Sequence, residues 1–404
     1  MSSTIRPLAP YAHAPLLILI SAFLMMQPLS TDLYLASLPS LASVFGAPVS
    51  TVQLTLSLFV IGFGGAQLIV GPLSDRLGRR PVLLCGLALY VSASVLCALS
   101  QSIHFLIAAR FAQALGCCCA VIVARAVVRD AYAPEDGVRV IAKASTWLSL
   151  APIFGPILGS YLQVGFGWRA AFVALGIFSA GLLATTFLRL PETNAHKNPR
   201  ATDLSGLLAN YRLVLGSREF WAHALPGALS YGAIFSFISG APFVLIRILH
   251  VPTEWFGYCF AFGVSGYMIG TIVCRRLLPR LGAVRTFRVG GAISLLTGMF
   301  FLAAVSAGIA HWSLMLAVMF LTMGAHGVNF AIAQSGSVAP FHLQAGTAAG
   351  LMGALYMAVA FLVGTVVGAT SNGTLYPLAL VSCTLGVLIF GAVRALPSAL
   401  PETA

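Results

Sequence analysis

Apolar runs of about 20 residues recur along the whole chain with short polar breaks between them, and a helix of that length crosses a hydrocarbon core of about 30 Å. The pattern predicts twelve spans, at 14–38, 50–71, 81–100, 104–127, 139–164, 169–189, 220–246, 254–275, 286–308, 312–336, 345–369 and 373–394. The first run is longer than the apolar region of a signal peptide and carries Asp32, so it is read as span 1. Composition agrees: 59% of residues are hydrophobic and 8% charged, too few charges to cover a water-facing surface, so lipid must be the solvent for most of it.

Basic loops stay cytoplasmic. The breaks on one face carry eighteen Lys and Arg residues, from Arg6 to Arg394, and those on the other carry Arg169 and Arg247 alone. This predicts both termini in the cytoplasm and explains the net charge of +12 without a nucleic-acid partner, since the basic residues meet anionic headgroups. The longest break, from Pro191 to Glu219, reads as a polar linker, giving an N-terminal half (1–190), a linker (191–219) and a C-terminal half (220–404). A weak repeat supports the division: Gly71–Arg76 reads GPLSDR at the end of span 2, and Gly270–Arg275 reads GTIVCR at the end of span 8, with Cys274 in place of Asp75. The expected class is an all-α membrane protein of twelve transmembrane helices in two six-helix pseudo-symmetric halves, with the substrate site between them near the midplane. No two of the eight cysteines have metal or redox spacing, and no HExxH, GxSxG or phosphate-binding loop occurs, so neither a metal, a cofactor nor an enzyme is expected.

Three motifs narrow the reading. The most specific is Gly71-Pro72-Leu73-Ser74-Asp75-Arg76-Leu77-Gly78-Arg79-Arg80-Pro81: a topological signal alone explains the arginines but not Asp75 or the paired glycines. Span 5 carries Ala151-Pro152-Ile153-Phe154-Gly155-Pro156-Ile157-Leu158-Gly159, whose small stripe suits close packing, with Gly266 and Gly270 of span 8 as a facing stripe. Span 4 carries Arg110, Gln113 and Gly116 in an R-x-x-Q-x-x-G pattern, and an arginine inside a span is functional by default.

The first motif resembles the loop 2–3 signature of the major facilitator superfamily, and the span 5 motif resembles the signature of its drug:proton antiporters. Ser30–Leu35, Gln53–Ser57, Ala124–Asp130, Trp168-Arg169 and Pro191-Glu192-Thr193 narrow the likeness to the bicyclomycin and chloramphenicol resistance family. That resemblance implies the major facilitator fold and a proton-driven efflux antiporter of the bacterial inner membrane. It would act as a monomer, exporting small amphipathic antibiotics, chloramphenicol-like or bicyclomycin-like, by alternating access. A proton-coupled nutrient importer shares the fold and stays open as an alternative. Leu24, eight residues before Asp32, leaves span 1 without a second carboxylate and argues against cationic drugs.

Gly71, Asp75, Arg76, Gly78, Arg79 and Arg80 are the expected conformational latch, with Asp75 meeting the start of span 11 near Gly346 and Thr347 by analogy with the family. Pro152, Gly155, Pro156 and Gly159 are the expected antiporter motif, packing span 5 on the second half. Asp32 and Arg110 are the proton-coupling candidates: both lie roughly 9 Å inside the far face and are expected to pair. Burial and a neighbouring guanidinium act in opposite senses on such a carboxyl, so opening the pair would change its proton affinity. The second half has no acid inside a span, and its polar features are His326, Asn329 and Gln334 with the aromatics of spans 7 and 8. Helix packing accounts for most of these; Tyr34, Gln113, Tyr231, Phe235, Tyr258 and Asn329 are kept as substrate-cavity candidates.

Overall fold

The structure is a computed structural model that describes residues 13–396, so the expected placement of Arg6 lies outside it. All of its regular elements are helices. Eleven are long and apolar enough to cross a membrane, yet they make twelve crossings, because α11 (Thr253–Ser306) has 54 residues. At 1.5 Å per residue it would be about 80 Å long, nearly three hydrocarbon cores. It doubles back at Gly282, whose φ of 74° and ψ of 170° only glycine adopts readily. The expected ten-residue break between spans 8 and 9 is thus a single residue.

Prolines shape two further spans. α1 (His13–Asp32) stops at Asp32, and span 1 continues through a tight turn at Leu35–Ser37 into α2 (Leu38–Val44), six residues past its expected end. Span 5 is split into α6 (Pro134–Leu148) and α7 (Ala151–Phe166). Pro152 sits in the first turn of α7, where no intrahelical N–H is needed, so it starts a helix instead of bending one. The other crossings are α3 (Val49–Leu77), α4 (Arg79–Leu99), α5 (Ile103–Ala131), α8 (Arg169–Arg189), α10 (Arg218–Pro242, extended by a wide turn at Phe243–Ile248), α12 (Trp312–Val338), α13 (Ala345–Thr370) and α14 (Tyr376–Arg394). The linker is not structureless: it holds α9 (Leu204–Leu215), whose first turn is capped by Asp203 accepting from the Gly206 N–H.

In the first half α5 packs on α1, α3 and α4, and α4 on α8; in the second, α10 packs on α12, α13 and α14, and α11 on α12 and α14. The halves meet along α3 against α13 and α7 against α11. Gly155 and Gly159 do not serve the second seam, contrary to expectation. They face α1: a Cβ on Gly159 would strike the Leu33 carbonyl, and one on Gly155 would lie 3.2 Å from the Asp32 Cβ. The close approach to the second half comes from the other face of α7, where Gly257 of α11 abuts the Pro156–Ile157 backbone. Gly266 and Gly270 face Phe320 and Gly324 of α12, within their own half. A small-residue stripe specifies a close neighbour but not which one.

Candidate functional site

Arg110, on α5, is completely buried. Its guanidinium donates to Gln113 Oε1 (2.6 Å), the Ser30 carbonyl (3.0 Å) and the Thr55 carbonyl (3.4 Å). Its carbon lies 4.2 Å from the Phe59 ring centroid, 4.5 Å from Tyr34 and 5.7 Å from Phe172. Dipoles and π faces therefore stabilise this charge in place of a carboxylate. The shell is itself held: Gln113 Nε2 donates to Ser94 Oγ (2.7 Å), and the Tyr34 hydroxyl bonds Thr55 Oγ1 (2.8 Å), whose own proton goes to the Val52 carbonyl. Tyr34 and Gln113 thus belong to the Arg110 cluster.

The expected Asp32–Arg110 pair is not formed. Ion pairs among the described residues are Asp75–Arg79, Arg79–Asp130 and Arg139–Asp136. The reason is geometric: Arg110 reaches the carbonyl of Ser30, two residues before Asp32 and so on a different face of α1, of which Asp32 is the last residue. Asp32 is 4% exposed, accepts from Thr31 Oγ1 (2.9 Å), packs its Cβ beside Gly155 of α7, and is within electrostatic reach of Tyr231 on α10. It therefore faces the seam between the halves.

Across that seam, Ser230 of α10 bonds His326 Nδ1 (3.0 Å) and accepts from Asn329 Nδ2 (3.3 Å), both on α12. Asn329 is wholly buried and its Oδ1 has no partner among the described residues, as has the Tyr356 hydroxyl. Tyr231 stacks on Tyr356 (5.6 Å between centroids) and lies 6.0 Å from His326, which also meets Tyr267 (5.8 Å) and Phe330 (5.4 Å). The result is an aromatic cluster with spare hydrogen-bonding capacity. Tyr231 and Asn329 belong to it; Phe235 packs instead beside Gly364 of α13. Tyr258 is apart from both, 44% exposed near the start of α11 and bonded to the Tyr161 hydroxyl (2.9 Å).

At the end carrying the basic loops, Arg79 donates to Asp75, to Asp130 (2.8 Å) and to Ser74 (2.7 Å). Asp75 makes no hydrogen bond to α13, but both line a cavity of about 470 Å³ that opens between α3, α5, α9 and the first turn of α13, with Gly346 and Thr347 on its far wall. The linker folds back on the signature loop. Glu192 accepts from the Arg79 (2.9 Å) and Arg80 (3.2 Å) N–H groups at the start of α4, and the Asp75 carbonyl accepts from Asn194 Nδ2 (3.1 Å) and the Asn198 N–H (3.0 Å). Gly78 (φ 108°) is needed there, because a Cβ would occupy the place of the Glu192 carboxylate. Arg76 donates to Thr202 Oγ1 (2.7 Å) and Arg80 to the Phe187 carbonyl (2.8 Å).

The opposite end is sealed across the halves. Gln53 of α3 donates to the Ser239 carbonyl (2.9 Å), Arg247 to the Pro39 carbonyl (2.8 Å) and Ser43 Oγ (2.7 Å), and the Gly257 N–H to Ser160 Oγ (3.0 Å).

Two six-helix bodies joined by a linker, closed at one end and open at the other, have close parallels among known proteins. The sequence profile described as the Major Facilitator Superfamily matches residues 18–365. The chain belongs to the Major Facilitator Superfamily. Within that superfamily it is 30% identical over 389 residues to the chloramphenicol resistance protein of Pseudomonas aeruginosa, covering 94% of this chain and 90% of that one. It is 27% identical over 354 residues to a bicyclomycin resistance protein homologue of Haemophilus influenzae, with 88% and 89% covered. The major facilitator fold is shared with a solved bacterial homologue of the human lysosomal transporter Spinster in an inward-facing and occupied conformation: TM-score 0.72, 15% identity, 94% and 95% covered. Residues of this superfamily member that sequence reading missed include Ser230 and Tyr356, ordinary helix residues by pattern. It also missed the roles of Glu192 and Asn194, although Pro191-Glu192-Thr193 was already conspicuous as a string.

Proposed function

We propose that this chain is a proton-driven multidrug efflux antiporter of the bacterial inner membrane, exporting small amphipathic antibiotics of the chloramphenicol or bicyclomycin kind by alternating access. The resistance names of its relatives support the substrate class. The observation that carries the mechanism is the one-ended closure: cross-half bonds from Gln53, Arg247 and Ser160 seal one end while a cavity opens at the other. With both termini in the cytoplasm, as the arginine-rich loops favour, this is the inward-open state of a monomer, and residues 1–190 and 220–404 rock against each other about the linker.

Asp32 is the proton site of this reading. It is a buried carboxylate beside Gly155 that acts electrostatically on Tyr231 of the second half, so movement of that half alters its surroundings, and drug and proton then favour different states. Arg110 acts as a fixed charge that orders α1, α3 and α5 around the cavity, in place of the pairing role expected from sequence. Tyr231 and Asn329 offer a ring face and an amide to a flat, uncharged drug. The test is drug extrusion by inside-out vesicles driven by a proton gradient, together with proton release from purified protein on drug addition. Release should vanish in Asp32→Asn while drug binding survives. Accumulation of drug by intact cells would instead establish import.

A further inference from the structure

Arg125 and Arg129 lie one turn apart on α5 and line the open cavity at the basic end, both exposed to it. Arg125 is six residues before the end of α5, about 9 Å inside the span by helical rise. Neither arginine is in any of the ion pairs among the described residues, and neither makes a hydrogen bond or ring contact there. The carboxylate nearest to hand on the wall, Asp75, is held by Arg79, which also takes Asp130. The two charges are therefore left over after the loop 2–3 network has closed on itself. Facing them, α13 begins at Ala345 with no side-chain cap, so its first N–H groups and the positive end of its dipole point into the same space. Apolar side chains, Leu68, Ile122 and Leu207 among them, supply the rest of the wall.

We propose that this vestibule is a binding site for amphipathic oxyanions, with a sulfonate, carboxylate or phosphate headgroup between Arg125, Arg129 and the α13 N-terminus and the tail along the apolar wall. Guanidinium forks bind such oxygens in two-pronged fashion, and two arginines without a carboxylate partner that face one cavity present that chemistry together. The site holds whether or not the chain exports antibiotics, since it concerns a cavity distinct from the Asp32 seam. An anionic phospholipid headgroup and a soluble amphipathic anion offer it the same chemistry.

The test is calorimetric titration of the full chain in phosphatidylcholine nanodiscs with decanesulfonate, using decyltrimethylammonium as the cationic counterpart and no proton gradient or drug. The sulfonate should bind saturably and the cation should not. Arg125→Gln and Arg129→Gln should each weaken binding by at least about tenfold, and the double variant should abolish it. Arg125→Lys with Arg129→Lys, which keeps the charge, should restore part of it and guards against loss through misfolding. Equal binding of the cation, or undiminished sulfonate binding by the folded double Gln variant, overturns the proposal. Adding phosphatidylglycerol to the nanodisc identifies the source: weakened sulfonate binding means the lipid headgroup reaches the site, and unchanged binding means it is served from solution.

Discussion

Arg247 and Arg169 are the two basic residues expected at the sealed end, and the structure gives them opposite roles. Arg169 donates to the Ala98 and Ser100 carbonyls and lies over Trp168, all within its own half. Arg247 reaches from α10's terminal turn to Pro39 and Ser43 of the other half. Replacing Arg247 with Ala removes two charge-assisted hydrogen bonds that exist only while that end is closed. Buried, each would contribute about 1.5–3 kcal/mol. Arg247 is exposed, so solvent screening reduces the pair to about 1–2 kcal/mol in total. At 1.4 kcal/mol per tenfold, the closed-to-open ratio should fall by about 5- to 30-fold. Hydrogen–deuterium exchange in nanodiscs reads this directly: segments 35–48 and 243–258 should lose protection by that factor in Arg247→Ala, while Arg169→Ala should leave the ratio alone and lower only thermal stability. Unchanged protection in both segments, or equal loss in the two variants, would refute the idea that Arg247 is a gate between the halves.

Asp75→Asn should cut transport while membrane abundance stays normal, because its carbonyl still holds Asn194 and Asn198 and only the pairing with Arg79 is weakened; transport assays on normalised membranes check this. Gly159→Leu should lower expression and melting temperature by separating α7 from α1, an overpacking cost of at least about 1–3 kcal/mol, whereas a proton leak at normal expression would contradict the observed packing. Hydrogen bonds from the Ser205 hydroxyl and then the Gly206 N–H hold the Asp203 carboxyl below its usual range. Its cap on α9 therefore contributes above the unfolded carboxylate pKa and is lost as pH falls through the lower folded value, and exchange protection of residues 204–207 should fall on acidification in the parent but not in Asp203→Asn.

The spans and their number were legible in the chain because they depend on a quantity summed over each segment, apolar length against bilayer thickness. The loop 2–3 motif was legible for a related reason, since Asp75, Gly78 and Arg79 act within one turn of one another. What tertiary structure decided is direction. A guanidinium at Arg110's depth had to find partners, but the chain could not say that three rings and three neutral oxygens would serve in place of Asp32, because the choice depends on which faces of α1 and α5 meet. The same holds for Gly155 and Gly159, whose stripe permits close packing on any neighbour and found α1. Glu192 and Asn194 lie more than a hundred residues from the loop they hold, and the unpaired state of Arg125 and Arg129 emerges only after every nearby carboxylate has been assigned. Local periodicity determines which segments enter the membrane, while rotation of each helix about its axis, set by packing against several neighbours at once, determines what its polar residues touch.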